Sequence, residues 1–233
     1  MTGRIAWLAL MALVAVVTVF AQLDRSARFD PALAALVPAP FAGFSAQRTT
    51  EAALVAGDAD MALENAQALV RRRPMPAEHL TLLAQAYAAS GNEVASLQAL
   101  EAAARRGWRE PFAQNAMAAA ALASGEQEIA AQRLAALWAI GLERDRLANL
   151  TRTMLAEPEG RAAFAAQLAQ EGRWQANFVT GAASIAPPPH VADTIVRARE
   201  MGASLDCRAL AGLADGLTGS GEAALAARVR AGC

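Results

Sequence analysis

Three glycines recur at a fixed interval in the first half of this 233-residue sequence. Gly57, Gly91 and Gly125 stand 34 residues apart, and each lies between two stretches whose apolar residues recur at helical spacing. A glycine in a helix interior costs roughly 1 kcal/mol relative to alanine, whereas the turn after a helix favours glycine. The interval therefore predicts three helical hairpins, with one of these glycines in the turn of each.

The residues around these turns support the same interpretation. Polar or acidic residues such as Asn92 directly follow each glycine, which favours the start of a helix. The second helices of the first two hairpins end in arginines, at 71–73 and 105–106, which complement the helix dipole. Pro74 and Pro111 then separate one predicted hairpin from the next, because the residue before a proline disfavours helix.

The middle hairpin, residues 77–108, resembles the tetratricopeptide repeat family. Leu83, Tyr87 and Gly91 have the spacing of that family's leucine, tyrosine and turn glycine. Alanine follows Leu83 where the family has glycine, and the usual early tryptophan is absent. The resemblance covers residues 43–142. It implies an α-solenoid in which the first helix of each hairpin lines a concave groove.

Composition favours an all-α chain. Alanine dominates, aromatic residues make up 5% of the sequence, and clusters of strand-favouring residues are almost absent beyond the N-terminus. The net charge is −1, so no global positive field attracts nucleic acid, and no nucleic-acid partner is expected. All 21 basic residues are arginine, a bias that a GC-rich genome also produces.

An uncharged apolar run from Ile5 to Leu23 is long enough to cross a bilayer as a helix. Arg4 precedes the run, whereas the charges of residues 24–30 nearly cancel, so the positive-inside rule keeps the N-terminus in the cytoplasm. The sequence before Gln22 also resembles a signal-peptide cleavage site, which leaves a cleaved signal as the alternative. We favour a single-pass inner-membrane anchor with the following domain in the periplasm; cleavage would release that domain into the periplasm.

The predicted organisation has five parts. They are a transmembrane anchor or signal peptide, a spacer, three tetratricopeptide-like repeats, degenerate helical repeats and a C-terminal helical cap. In that order they span residues 1–23, 24–43, 44–142, 143–185 and 186–233. The proline-rich segment 184–190 is expected to be an extended linker, because its prolines are unsuited to a helix interior.

Cys207 begins one predicted helix and Cys233 closes the next. Antiparallel helices of similar length bring these two ends together, so a disulfide is geometrically plausible and agrees with export. It would close a loop of about 25 residues and stabilise the fold by roughly 3 kcal/mol in the chain-entropy model. The alternative is two free thiols that pack in the core.

No catalytic or metal site is predicted. His79 and His190 are the only histidines, each without a partner at metal-ligand spacing, and His79 is expected at the surface. No nucleotide-binding motif or activated-serine motif is present. Carboxylate pairs such as Glu126 and Glu128 fall at turn positions, where helix capping explains them. We therefore expect no enzymatic activity, no cofactor and no metal.

If the family geometry holds, the first helices line a groove of neutral to mildly acidic character. Its predicted lining is Gln47, Glu51, Glu78, Thr81, Gln85, Phe112, Asn115 and Leu122. Such a groove suits a protein segment with polar and some apolar character. The predicted function is therefore a non-catalytic scaffold for other envelope proteins or peptide segments. The alternative is an envelope glycan-binding protein of an export or assembly system, with Trp138 and Trp174 exposed in the groove.

Overall fold

The computed structural model describes residues 2–141, 144–170, 172–231 and 233. Within these ranges the regular elements are helices and none is a β-strand, which confirms the prediction of an all-α chain. The α-helices of these ranges are α1 (Thr2–Ser26), α2 (Phe44–Ala56), α3 (Ala59–Arg72), α4 (Ala77–Ala89), α5 (Glu93–Arg106), α6 (Pro111–Ala123), α7 (Gln127–Ile140), α8 (Arg144–Ala156), α9 (Pro158–Leu168), α10 (Trp174–Gly181), α11 (Pro188–Glu200), α12 (Cys207–Gly219) and α13 (Ala223–Arg230). Short 3-10 helices span Pro31–Leu36, Ala39–Phe41 and Ala182–Ser184.

The helices form two compact units, unit 1 (Met1–Gly107) and unit 2 (Trp108–Cys233). Unit 1 contains α1 to α5, and unit 2 contains α6 to α13. The two units differ in the size of their buried side chains. Small clusters composed largely of alanine occupy the contacts of unit 1, whereas a continuous cluster that includes leucines and aromatic rings fills unit 2.

The turns between paired helices share one backbone conformation. Gly57, Gly91 and Gly125 have φ angles of 75°, 78° and 78°, in the left-handed region that glycine occupies at little cost. In the turn at Gly91, the amide of Asn92 donates to the carbonyl of Tyr87 at 2.9 Å. This Schellman motif ends the first helix and satisfies a carbonyl that would otherwise lack a donor. The structure thus places each of the three turn glycines between two consecutive helices.

A further hairpin of the same construction joins α12 to α13. Gly221 has a φ angle of 86°, and the amide of Glu222 donates to the carbonyl of Leu217 at 2.9 Å. The tripeptide Ser-Gly-Glu at 220–222 repeats the tripeptide at 124–126. The two glycines are 96 residues apart, which is not a multiple of 34, so the fixed interval did not identify this turn.

Side chains cap the start of the second helix in the first two hairpins. Asp58 Oδ1 accepts from the amide of Met61 at 3.0 Å, and Asn92 Oδ1 accepts from the amide of Ala95 at 3.1 Å. Each cap satisfies one of the amides that lack an acceptor at a helix start and contributes about 1 kcal/mol.

Consecutive hairpins stack side by side in unit 1. α4 packs against both helices of the preceding hairpin, α2 and α3. The side chains at this contact are small, because Ala53, Ala62, Ala66 and Ala86 are all buried there. Small side chains let helix axes approach closely, so the alanine-rich composition allows this stacking.

Unit 2 packs larger side chains, with α8 against α6 and α7, and α9 against α7. The Phe178 ring contacts those of Phe164 and Trp138, with centroids 4.9 and 5.3 Å away. Gly160, in the first turn of α9, lies so close to the carbonyl of Met154 that a Cβ at this position would overlap that oxygen. The approach of α9 to the end of α8 therefore requires a residue without a side chain.

The proline run does not form the predicted extended linker. Pro187 caps α11, and Pro188 and Pro189 occupy its first turn. The first amides of a helix have no intrahelical acceptor, so proline costs little at these positions. The prediction for 184–190 is therefore wrong at its C-terminal end, where the prolines start a helix.

Candidate functional site

The predicted groove residues of unit 1 lie on α2 and α4, the first helices of two consecutive hairpins. Gln47 and Glu51 are one turn apart on α2, and Gln47 Nε2 donates to Glu51 Oε1 at 2.9 Å. On α4, Glu78 is exposed and Gln85 is half-buried, whereas Thr81 is buried and its Oγ1 has no hydrogen-bond partner among the described residues. Of these residues, Gln47 and Glu78 line one and the same cleft. Arg28, Arg48 and Arg73 also line it, so the expectation of a neutral to mildly acidic groove is wrong at this cleft.

The predicted groove residues of unit 2 lie on α6. Phe112 is 40% exposed, Asn115 is half-buried, and Leu122 packs partly buried against the core of unit 2. Their spacing of three and then seven residues places them on one face of the helix. The predicted set is thus divided between two units, with five residues in unit 1 and three in unit 2.

A cleft rich in arginine lies beside the N-terminal end of α2 in unit 1. This arginine cleft has a volume of about 490 Å³ and is lined by Arg28, Phe44, Gln47, Arg48, Arg73, Pro76, Glu78 and His79. The guanidinium of Arg73 lies 4.5 Å from the centroid of the Phe44 ring, and that of Arg28 lies 5.7 Å from it. Cation–π attraction therefore helps to hold two arginines at one aromatic ring.

The three arginines of the cleft differ in their partners. Arg48 Nη1 contacts Glu51 Oε2 at 2.6 Å, and its Nη2 donates to the backbone carbonyl of Arg28 at 2.7 Å. Arg28 and Arg73 form no ion pair with any residue in the part of the chain that the structure describes. Their positive charges are therefore available to an anion, whereas Glu51 neutralises Arg48.

His79 is buried at the back of this cleft, with 3% of its surface exposed, so the expectation that it lies at the surface is wrong. Its Nδ1 lies 2.8 Å from the backbone carbonyl oxygen of Arg73. Burial lowers the pKa of the imidazole and outweighs the hydrogen bond, and the nearby Arg73 charge lowers it further. The position was not evident from sequence, because packing against the preceding hairpin covers the first turn of α4.

Cys207 and Cys233 lie at the two ends of the α12–α13 hairpin. Their sulfur atoms are at disulfide distance, and their Cα atoms are 5.6 Å apart. Both residues are exposed, so neither has the buried environment that the alternative of two core thiols requires. The antiparallel pairing of α12 and α13 brings them together.

Trp138 and Trp174, the two tryptophans expected to be exposed for glycan binding, pack against other rings, whereas Trp108 is 52% exposed with the Arg109 guanidinium 4.7 Å from its ring centroid. Trp138 is 5% exposed and meets Phe178 edge to face, and Trp174 is half-buried with its ring 5.6 Å from that of Phe164. A glycan platform needs an exposed ring face. Trp138 lacks one, and this geometry gives no support to the glycan-binding alternative.

An apolar groove of about 660 Å³ lies within unit 2 between α10 and α12. Val179, Leu213 and Leu217 contribute apolar walls. Asp206 is the one carboxylate of its lining, and its Oδ1 accepts from the amide of Ala209 at 2.8 Å, which caps α12. The groove therefore carries no pair of carboxylates for acid–base chemistry.

No cluster of three or more metal-ligating side chains occurs within the described ranges. No model of a protein family matches the sequence, and no curated protein is similar to it. Function is therefore inferred from the residues themselves and from their geometry.

Proposed function

We propose that this protein is a membrane-anchored, non-catalytic adaptor of the bacterial envelope that binds segments of other envelope proteins. In this proposal the hairpins are tetratricopeptide-like repeats of an α-solenoid. The helix α1 stays in the inner membrane with the N-terminus in the cytoplasm, and the helices that follow α1 lie in the periplasm.

The observation that carries the proposal is the adjacency of α2 and α4, the first helices of two stacked hairpins. Gln47 and Glu78, one from each of these helices, line one cleft. Glutamine amides both donate and accept hydrogen bonds, so Gln47 and Gln85 suit the backbone of a bound peptide segment. Packed hairpins that present such side chains support the binding of a peptide segment.

The N-terminal helix supports the membrane part of the proposal. The 24 residues from Gly3 to Ser26 contain an 18-residue window with a mean hydropathy of 2.3, and this window is not buried inside the protein. At 1.5 Å per residue they extend about 36 Å, enough to cross a hydrocarbon core of about 30 Å. A lipid bilayer would cover the exposed apolar surface of a helix of this length. The Cys207–Cys233 pair at disulfide distance agrees with an oxidising compartment such as the periplasm.

A matched pair of double variants tests the proposed partner binding. Gln47→Ala with Gln85→Ala removes two hydrogen-bonding side chains from the first helices. Gln98→Ala with Gln132→Ala removes two exposed glutamines from the second helices α5 and α7. Each tagged full-length protein is crosslinked in intact cells, purified from solubilised membranes and analysed by mass spectrometry.

The proposal predicts that the wild-type protein and the control recover the same envelope proteins. The loss of two hydrogen bonds at about 1 kcal/mol each lowers affinity about thirtyfold, so the first-helix variant should recover much less of them. Equal recovery by both double variants, or no specific partner for the wild type, would contradict the proposal.

A further inference from the structure

The junction between α1 and the first hairpin is held by a buried carboxylate. Asp24, near the end of α1, accepts hydrogen bonds from the backbone amides of Gly43, Phe44 and Ser45 at 2.9, 3.1 and 2.9 Å, and from Ser45 Oγ at 2.8 Å. The ring of Phe20 also stacks on that of Phe41 at 5.4 Å. The segment between these helices therefore folds back onto the end of α1.

This junction fixes the height of the arginine cleft relative to the membrane. The apolar run ends at Leu23, and three further helical residues to Ser26 advance about 4.5 Å along the axis. The headgroup layer on each side of a bilayer is about 5–7 Å thick. With α1 across the bilayer, Arg28 thus lies at the depth of the lipid headgroups, next to Phe44 and Arg73.

Apolar side chains of the segment between α1 and α2 are exposed. Phe29 exposes 80% of its surface and Leu36 exposes 62%. Phe29 lies against the guanidinium of Arg28, 5.7 Å from its ring centroid. Aromatic and arginine side chains side by side are typical of the membrane–water interface, where the ring enters the lipid and the cation meets the headgroup.

The charge of the cleft is positive. Arg28, Arg48 and Arg73 line it together with one carboxylate, that of Glu78. Glu51, outside the lining, neutralises Arg48. The Asp24 carboxylate lies near Arg73 beside Gly43, but it accepts from the amides of Gly43, Phe44 and Ser45. Among the described residues no ion pair joins Arg28 or Arg73 to a carboxylate, so both guanidinium groups can still contact an added anion. Two guanidinium groups at one site match the oxygens of a phosphate, which accept several hydrogen bonds at once.

We propose that the arginine cleft binds the phosphate headgroup of an anionic phospholipid in the membrane that α1 crosses. Arg28 and Arg73 contact the phosphate, while Phe29 and Leu36 enter the acyl boundary beside it. Bound lipid thereby fixes the first hairpin against the membrane surface. This inference rests on the proposed membrane anchoring of α1. Gln47 and Glu78 also line the arginine cleft, so the bound lipid lies next to these two residues of the proposed peptide surface, whereas Gln85 lies outside the lining.

Hydrogen exchange of the full-length protein in nanodiscs tests this inference. One set of nanodiscs contains only phosphatidylcholine, and a second contains about one third phosphatidylglycerol. The proposal predicts severalfold slower exchange of residues 28–48 and 70–79 in the anionic discs. Equal exchange in both discs would refute lipid binding by the cleft. Failure of the protein to enter either disc would instead refute the anchoring of α1.

Variants assign the effect to the cleft. Arg28→Gln with Arg73→Gln should abolish the difference between the two lipids, whereas Arg105→Gln with Arg109→Gln changes the charge equally at two exposed arginines and should preserve it. Arg28→Lys with Arg73→Lys should retain part of it, which distinguishes lost charge from lost folding. A lipid dependence that persists in the Arg28→Gln, Arg73→Gln protein would overturn the assignment.

A final arm separates a lipid headgroup from free phosphate. Inorganic phosphate is added to the phosphatidylcholine discs at about 10 mM, a concentration that would occupy a site with a Kd of about 1 mM. The proposal predicts little added protection, because the site depends on lipid held beside Phe29 and Leu36. Full protection by inorganic phosphate would show a soluble-anion site and overturn the lipid assignment.

Discussion

Replacement of Asp24 by alanine should loosen the junction between α1 and α2. The start of α2 has no cap of its own, because Gly43 stands at the N-cap position, so Asp24 accepts from the first amides instead. Asp24 is buried, and its removal leaves the amides of Gly43, Phe44 and Ser45 without their acceptor. The change therefore removes a tertiary contact and a helix cap together.

The size of the effect follows from these contacts. A hydrogen bond to a charged group contributes about 1.5–3 kcal/mol, and loss of an N-cap costs about 0.5–2 kcal/mol. Water can hydrogen-bond to some of the amides that the lost carboxylate leaves unpaired, so the contributions of the hydrogen bonds and of the cap do not add fully. We expect Asp24→Ala to lower the local free energy of opening by about 2–3 kcal/mol, which accelerates amide exchange about 30- to 150-fold.

Hydrogen exchange of the full chain in detergent micelles measures this change at residues 41–50. Asp58→Ala is the matched control, because Asp58 caps α3 through a single local hydrogen bond to the amide of Met61. Its cost is about 1 kcal/mol, or about fivefold in exchange, confined to the start of α3. Asp24→Ala should accelerate exchange at residues 43–45 more than Asp58→Ala accelerates exchange at the start of α3. If it does not, the Asp24 carboxylate does not hold the junction.

Three further predictions concern unit 2. Reduction of the Cys207–Cys233 pair, which spans 26 residues, should cost about 3 kcal/mol and lower the melting temperature, whereas the Cys207→Ser protein should melt equally with and without reductant. Gly160→Ala should destabilise unit 2 by more than about 2 kcal/mol in urea titrations, because the added methyl group would overlap the carbonyl of Met154 at the end of α8. The control is Gly212→Ala, where the added methyl group has open space; it should stabilise unit 2 by about 0.5–1 kcal/mol. Burial favours a higher pKa for Asp193, but hydrogen bonds from Arg161 and Arg197 hold that pKa below its ordinary value of 3.8. The stability that the ionised carboxylate contributes is therefore complete above pH 3.8 and is lost as the pH falls through the lower folded-state pKa. Asp193→Asn should weaken this loss of stability in acid, measured by thermal melts.

Most of the fold that could be predicted follows from residues that are neighbours in the sequence. Gly91 marks a turn because its left-handed conformation and the polar Asn92 after it are properties of neighbouring residues. The apolar run before Leu23 likewise determines a helix without reference to the rest of the chain. The turn at Gly221 has the same local signal but falls outside the 34-residue interval, so the interval does not predict it. The two antiparallel helices on either side of it, between Cys207 and Cys233, are predicted without the interval.

The arginine cleft could not be predicted, because it depends on contacts between distant segments. Arg28 and Arg73 are 45 positions apart in the chain, and they meet at Phe44 only after Asp24 draws the start of α2 to the end of α1. The burial of His79 has the same origin. Helical spacing places a residue on a face, but the fold decides which faces are covered.

Site-specific photocrosslinking in intact cells tests partner binding by the first helices most directly. A photoreactive amino acid replaces Gln85 on α4 in one protein and Gln98 on α5 in another. We expect the probe at position 85 to crosslink a defined envelope protein and the probe at position 98 not to do so. Crosslinks of equal yield at both positions, or none at position 85, would contradict it.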